Sequence, residues 1–272
     1  MGPCTPIPET QHPTAPTALA WKLWLYTNYD CNLRCTYCVA ESTPTAPRRA
    51  LGLANVQRLV DEALALGFAE VFFTGGEPFI LDDIYAMLAY ASARMKTTVL
   101  TNAMLLRGPR LAKLLAVAHD NLVVQVSLDG ATPAQHDAYR GRGSWVKTVE
   151  GIRALQAHGF RVRLSTTETP ANTAHLAALC EFHHGLGIPE DDHFVRPLVR
   201  RGFSQTGLDL EMANLTPELT VNVDGGFWHP LSTHADMQVS RSLFPLAAAV
   251  ERVQRQLEVI AQTGAAPRIT FT

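Results

Sequence analysis

Three cysteines are crowded into one short stretch, NYDCNLRCTYC, from Asn28 to Cys38. Cys31, Cys35 and Cys38 are spaced C-x3-C-x2-C. Thiolates are the usual ligands of cluster iron, so three in one loop suit an iron–sulfur cluster. A cubane cluster has four irons, and three cysteines leave one of them without a protein ligand, a place for chemistry. Two other readings of the same residues stand beside this one. A structural zinc site closes with four protein ligands, and the fourth would have to come from as far away as His136 or Cys180. A disulfide framework fits poorly, because the 272 residues hold only five cysteines, three of them together.

The elements around this loop alternate. Trp21 to Thr27 (WKLWLYT) reads as a buried strand that delivers the chain into the cysteine loop. From Leu53 the apolar residues Val56, Leu59, Val60, Ala63 and Leu64 recur at a helical period, with Gly67 as a stop. Strands are expected at Glu70 to Phe73, Thr97 to Leu100, Leu122 to Ser127, Arg161 to Thr166 and His193 to Leu198. Helices are expected near Asp82 to Arg94, Pro109 to Val117, Ser144 to His158 and Asn172 to His184. Six β/α units in succession predict an α/β fold with a parallel sheet and helices outside it. Periodicity alone does not separate a doubly wound sheet from a full or partial barrel.

Polar motifs stand at the strand ends. Thr74-Gly75-Gly76-Glu77-Pro78 follows the second strand, Thr101-Asn102-Ala103 the third and Ser127-Leu128-Asp129-Gly130 the fourth, with HDAYRGRGSW (His136 to Trp145) beyond. Taken alone, GGEP is a tight turn and Thr-Asn is near-neutral evidence. In this order, after C-x3-C-x2-C with Tyr37 just before the third cysteine, they resemble the signature of the radical S-adenosylmethionine (SAM) superfamily. That resemblance covers Trp21 to Arg201 well and the remainder loosely.

It implies a (β/α)6 partial TIM barrel, with one [4Fe-4S] cluster held by Cys31, Cys35 and Cys38 at the C-terminal ends of the strands. SAM would chelate the open iron. Its amino group would be held by Gly75, Gly76, Glu77 and Pro78, whose glycines let the backbone approach a ligand and leave its polar groups available. Ser127 and Asp129 would face the ribose, with Tyr37, Thr101, Asn102 and Thr166 as further cofactor-binding candidates. Arg140 is a natural clamp for the SAM carboxylate, with a surface salt bridge as its even alternative. Thr166 and Asn172 serve core packing or capping equally well, and Arg196-Pro197-Leu198 could border the adenine. His183, His184 and His193 read as solvated or satisfied core residues. By the resemblance, the reduced cluster passes an electron into SAM, giving methionine and a 5′-deoxyadenosyl radical that takes hydrogen from a peptide or a small natural-product or cofactor precursor. The electron would come from an external donor such as flavodoxin or ferredoxin. A non-catalytic iron–sulfur carrier or degenerate partner subunit is the alternative. No residue acting after hydrogen abstraction is assigned.

Three segments are expected: a flexible proline-rich lead over 1–17, the barrel over 18–205 and a C-terminal β-hairpin plus helix over 206–272. The last reads as strands Glu218 to Val223 and Phe227 to His229 around the turn Asp224-Gly225-Gly226, then a helix from Leu243 to Gln262. It resembles a shortened SPASM/twitch-like extension. Leu231 stands just after the proline where relatives place a cysteine, and no cysteine occurs beyond Cys180. The segment is expected to carry no second thiolate cluster, to close the barrel mouth and to contribute substrate contacts. Ligation by His229 and His234 is disfavoured because cluster iron prefers thiolate. A net charge of −2 calls for neither nucleic acid nor an anionic membrane. With no long apolar run and no basic-apolar start, a reduced cytoplasm is the expected setting.

Overall fold

The computed structural model describes residues 22–118, 120–209 and 215–262. The proline-rich lead and Trp21 lie outside them. Six parallel strands run in chain order across the sheet: β1 (Lys22–Asn28), β2 (Glu70–Gly75), β3 (Lys96–Thr101), β4 (Leu122–Ser127), β5 (Arg161–Glu168) and β6 (His193–Pro197). The helices between them are α1 (Leu53–Ala65), α2 (Ile84–Ser92), α3 (Gly108–Leu115), α4 (Pro133–Arg140), α5 (Ser144–Ala157) and α6 (Leu176–Gly185). All six expected strands are present. The sheet is open, as in a partial barrel, with β6 at one edge.

Strand parity separates two faces. On β1, Leu23 and Leu25 join the apolar core with Val71, Phe73, Val99, Val124, Val126 and Leu164 under the helices. Trp24 and Tyr26 take the opposite, inner face, where Trp24 stacks on Phe72 with centroids 4.2 Å apart. In register Tyr26 lies beside Thr74. The polar strand ends therefore converge on the inner side of the sheet, at the end where a β/α barrel carries its site.

Helix α4 was not anticipated. Its eight residues are mostly polar and only His136 and Arg140 are buried, so it has too short an apolar stripe to read. Pro133 opens it, and the Gln135 amide oxygen accepts the Thr132 N–H at 3.3 Å.

The C-terminal segment differs from expectation. Its strands β7 (Thr220–Asn222), β8 (Gly225–Phe227) and β9 (Gln238–Ser240) extend the sheet beyond β1, with β7 parallel to β1 and the rest antiparallel. The hairpin turn is Val223-Asp224, not Asp224-Gly225-Gly226, since Asn222 pairs with Gly225. The glycines are needed inside β8. A Cβ on Gly225 would lie 2.0 Å from the Ser240 carbonyl oxygen, and one on Gly226 would lie 3.0 Å from the Ala249 Cβ. Helix α7 (Leu246–Gln262) buries Leu246, Val250, Val253, Leu257 and Ile260. Its first N–H is taken by the Glu62 carboxylate of α1 at 2.6 Å, as an anion at a helix start should do. No described helix is long and apolar enough to cross a membrane.

Candidate cluster and cofactor site

The cysteine loop occupies the long connection between β1 and α1. All three thiols are half-buried and line one cavity with Tyr37, Gly75, Gly76, Glu77, Thr101, Asn102, Ser127 and Arg140. Burial, then the nearby Glu77 charge, pushes the Cys31 thiol up to about 12. Burial pushes Cys35 up to about 11 against the pull of Arg140. Metal-free, these thiols hold their protons, and a bound cation must displace them. Among the described residues, no group of three or more His, Cys, Asp or Glu is gathered closely enough for a single ion. Three thiols lining one cavity are a donor set that suits an iron–sulfur cluster with one open iron. Neither candidate fourth zinc ligand turns to the loop: the His136 Nδ1 accepts the Asp129 N–H at 3.1 Å, and Cys180 sits on α6, 3.9 Å from the His193 Nδ1.

The glycines of GGEP line the cavity and also let two stretches of backbone meet. A Cβ on Gly75 would stand 2.3 Å from the Asn28 oxygen, and one on Gly76 would stand 2.1 Å from the Asp30 oxygen. Gly75 also adopts φ 127°, in the range that favours glycine. The two glycines let β2 cross directly beneath the start of the cysteine loop. The Gly76 and Glu77 N–H groups are spent there, on the Asn28 and Asp30 carbonyls at 2.8 and 3.0 Å. Asn28, fully buried, closes the junction by donating to the Asp30 and Glu77 backbone oxygens at 2.9 and 3.1 Å.

Glu77 is the acid of the cavity. It is 1% exposed, and burial raises it to about 7 despite three donors: Thr101 Oγ1 at 2.7 Å, the Asn102 N–H at 2.9 Å and the Phe79 N–H at 3.1 Å. Thr101 and Asn102 thus tie the end of β3 to GGEP. Asn102 also donates to the Asn32 Oδ1 at 2.9 Å, reaching into the cysteine loop.

Asp129 lies behind the cavity wall. Its Oδ2 accepts from the Arg140 Nε at 2.6 Å and from the Tyr37 hydroxyl, and its Oδ1 from the Thr167 N–H at 2.9 Å. Arg140, with its guanidinium carbon 5.4 Å from the Tyr37 ring centroid, reaches the cavity wall; Asp129, fully buried, does not. Asn172 donates to the Asp129 backbone oxygen at 2.6 Å and so fixes the motif. Thr166 also points away from the cavity, with its hydroxyl on the Leu128 oxygen at 2.7 Å. Its neighbours Ser165 and Thr167 line the cavity, as the period of two requires. Pro78 is buried at the start of a short 3-10 turn and is not among the lining residues. The cavity also takes Tyr26, Leu33, Val39, Leu100 and Arg196 to Val199. The sequence pointed to Arg196, Pro197 and Leu198 and gave no signal for Tyr26, which is one strand position among seven. Burial lowers Arg196 to about 10, against the pull of Glu218.

No described residue beyond Val199 lines this cavity. The described residues of the C-terminal segment stand beside the cysteine loop. The His229 Nδ1 accepts the Leu231 N–H at 3.0 Å, and the His234 Nε2 meets the Glu41 carboxylate at 2.9 Å.

The sequence pattern of the Radical SAM superfamily matches residues 25–171, more than half of the 272. An AdoMet-dependent heme synthase from Methanosarcina barkeri is 30% identical over 64% of this chain and 48% of its own length. A mycofactocin maturase from Mycobacterium ulcerans is 34% identical over 60% of this chain and 42% of its own. The chain thus spans about half the length of the curated relatives it matches. In fold, it is similar to Streptococcus suis SuiB bound to S-adenosylmethionine, with a TM-score of 0.59, 20% identity, and 72% of this chain and 45% of that one covered. With its three cysteines, GGEP turn and buried Ser-x-Asp-Gly corner around one cavity, the chain belongs to the radical SAM superfamily.

Proposed function

We propose that this chain is an enzyme that binds a [4Fe-4S] cluster through Cys31, Cys35 and Cys38 and SAM in the adjoining cavity, and acts on a peptide or a small natural-product or cofactor precursor. The observation that carries this reading is the convergence of three thiols, Gly75, Gly76, Glu77, Ser127 and Arg140 on one cavity. Bound there, the cluster would supply the electron for reductive cleavage of SAM, the superfamily's source of a 5′-deoxyadenosyl radical. The hard chemistry belongs to the cofactors, and the protein supplies binding, orientation and exclusion of water.

The chain's own residues divide that work. The cysteine loop is kept in place by the β2 crossing below it and by Tyr37, whose hydroxyl is anchored on Asp129. Glu77, with three donors already on its carboxylate, presents an acceptor to an ammonium group. Arg140, fixed through Nε by Asp129, presents its remaining guanidinium to a carboxylate. The Ser127 and Thr167 side chains offer hydroxyls to a ribose. Leu33, Val39, Leu100, Leu198 and Val199 make the apolar part of the wall and limit water around the reacting centre.

Two of the relatives are named for heme synthesis and for maturation of mycofactocin. Both a small cofactor precursor and a peptide therefore stay within the proposal. An external one-electron donor such as flavodoxin or ferredoxin and a reducing cytoplasm complete it. The test is anaerobic: load iron and sulfide, add dithionite and SAM, and measure 5′-deoxyadenosine by chromatography beside Cys35→Ala. Product from the native chain alone supports the reading. An iron-loaded native chain that makes none, with and without candidate precursors, would transfer support to a non-catalytic carrier.

A further inference from the structure

We infer that the C-terminal segment and the Arg201–Phe203 turn just before it form a clasp that fixes the cluster loop from outside, through a Tyr29 node and a Gly202–Phe203 hook on Cys38. This rests on the cluster assignment proposed above.

The first point of hold is Tyr29, two residues before Cys31. Its hydroxyl receives the Asn222 amide at 2.6 Å from β7 and meets the Thr233 Oγ1 at 2.5 Å. One phenol therefore joins the loop entrance to two separate parts of the extension. Next to it, the Tyr26 hydroxyl donates to the Pro230 oxygen at 2.6 Å.

The second point is Cys38 itself. Its carbonyl accepts the Phe203 N–H at 3.1 Å and the Glu41 N–H at 3.2 Å. Gly202, at φ 61°, passes so close that a Cβ there would stand 2.3 Å from that same oxygen. The Arg34 guanidinium, four residues before Cys38, lies over the Phe203 ring at 4.6 Å. Arg201 links this hook to the extension through both oxygens of Asp236, at 2.7 and 2.8 Å.

The third point is the loop exit. Glu41 holds φ 53°, a left-handed conformation that costs a non-glycine residue energy. Its carboxylate is held by the His234 Nε2 at 2.9 Å. Entrance, last cysteine and exit are thus each gripped from one side by residues that reach neither the cavity nor any thiol. Such contacts act as groups behind a metal ligand do, by fixing the ligand's position. Tyr29, Gly202 and Thr233 are positioning residues.

The test is the rate at which the iron-loaded protein bleaches in excess chelator without oxygen, measured beside the thermal midpoint of the iron-free chain. Tyr29→Phe, Thr233→Val and Gly202→Ala should lose the cluster about 10-fold faster than the native chain. Thr233→Ser, which keeps the hydroxyl, should behave as native. Arg252→Ala, which breaks a contact with the Val239 oxygen inside the extension, should leave the bleaching rate unchanged. Native bleaching rates in the first three variants, or a Thr233→Ser rate equal to that of Thr233→Val, would overturn the inference. So would bleaching that merely follows the fall in iron-free midpoint across the whole set, Arg252→Ala included. A native chain that takes up no iron would instead overturn the proposed function, and the clasp with it.

Discussion

The cysteine loop is held on two sides by different chemistry. On the barrel side, Asp129 and Arg140 form an ion pair whose side chains are 0% and 10% exposed, with the Tyr37 hydroxyl and the Thr167 N–H completing the carboxylate. On the extension side, the charged contacts lie in water: the Arg201 and Asp236 side chains are 23% and 60% exposed, and those of His234 and Glu41 are 43% and 45% exposed. The energetics of the two sides differ. Buried charge is costly to unpair, whereas an exposed pair contributes little and is screened by salt. Breaking the barrel-side pair should therefore cost much of the fold's stability, and breaking an extension-side pair little.

The sharpest way to break this comparison is Asp129→Ala. It strands a buried guanidinium and should lower unfolding free energy by about 3–5 kcal/mol in a urea titration of the iron-free chain. A loss below about 1 kcal/mol would place the pair in the same class as the exterior ones. Smaller is Tyr37→Phe, which removes one donor from that carboxylate and should cost about 1 kcal/mol. Smallest is Asp236→Ala, with an expected cost under about 1 kcal/mol that shrinks further in 0.5 M salt. Equal costs for Asp129→Ala and Asp236→Ala would erase the distinction.

Acid should act on a third region, the buried histidines. Burial lowers His136 and His193 to about 4, His229 to about 3 and His183 to about 2. An unfolded histidine binds its proton near 6.5, while these stay neutral in the fold. The unfolded state then holds more protons, and stability is lost as pH falls from about 6.5 toward 4. Glu77 runs the other way: raised to about 7, it favours the fold at low pH and loses that contribution as pH rises from about 4.5 to 7. Burial raises Glu218 as well, in the same sense as Glu77. Four histidines outweigh two glutamates, so the thermal midpoint of the iron-free chain should fall between pH 6.5 and 4.5. In His183→Leu the fall should be shallower. An acid limb unchanged in that variant would show that His183 is already protonated in the fold.

Much of the barrel was legible because strand, polar end and helix repeat in order, and each repeat fixes where the next loop must point. The cysteines, Gly75, Gly76, Glu77, Thr101, Asn102, Ser127 and Arg140 all line one cavity for that reason, and Pro78 does not. Parity on β5 was legible and points away from Thr166: in RVRLST, Val162 and Leu164 share its face and lie in the core, whereas Ser165 and Thr167 share the opposite face and line the cavity. Asp129 showed its chemistry but not its depth, since nothing local says that Arg140, Tyr37 and Thr167 will consume its oxygens. The extension was hardest. Asp224-Gly225-Gly226 has turn composition, yet the glycines are there because β9 and α7 press on β8. Its grip on the loop joins residues about two hundred positions apart, such as Tyr29 and Thr233, which no local pattern can report.

The central claim is that three cysteines hold a cluster with one iron open to SAM. Its most direct measurement is iron and sulfide content followed by electron paramagnetic resonance of the reduced protein, with and without SAM. The account predicts about four irons and four sulfides per chain and a spectrum that changes when SAM is added. A chain that retains a single zinc, or a reduced cluster whose spectrum is indifferent to saturating SAM, would contradict it.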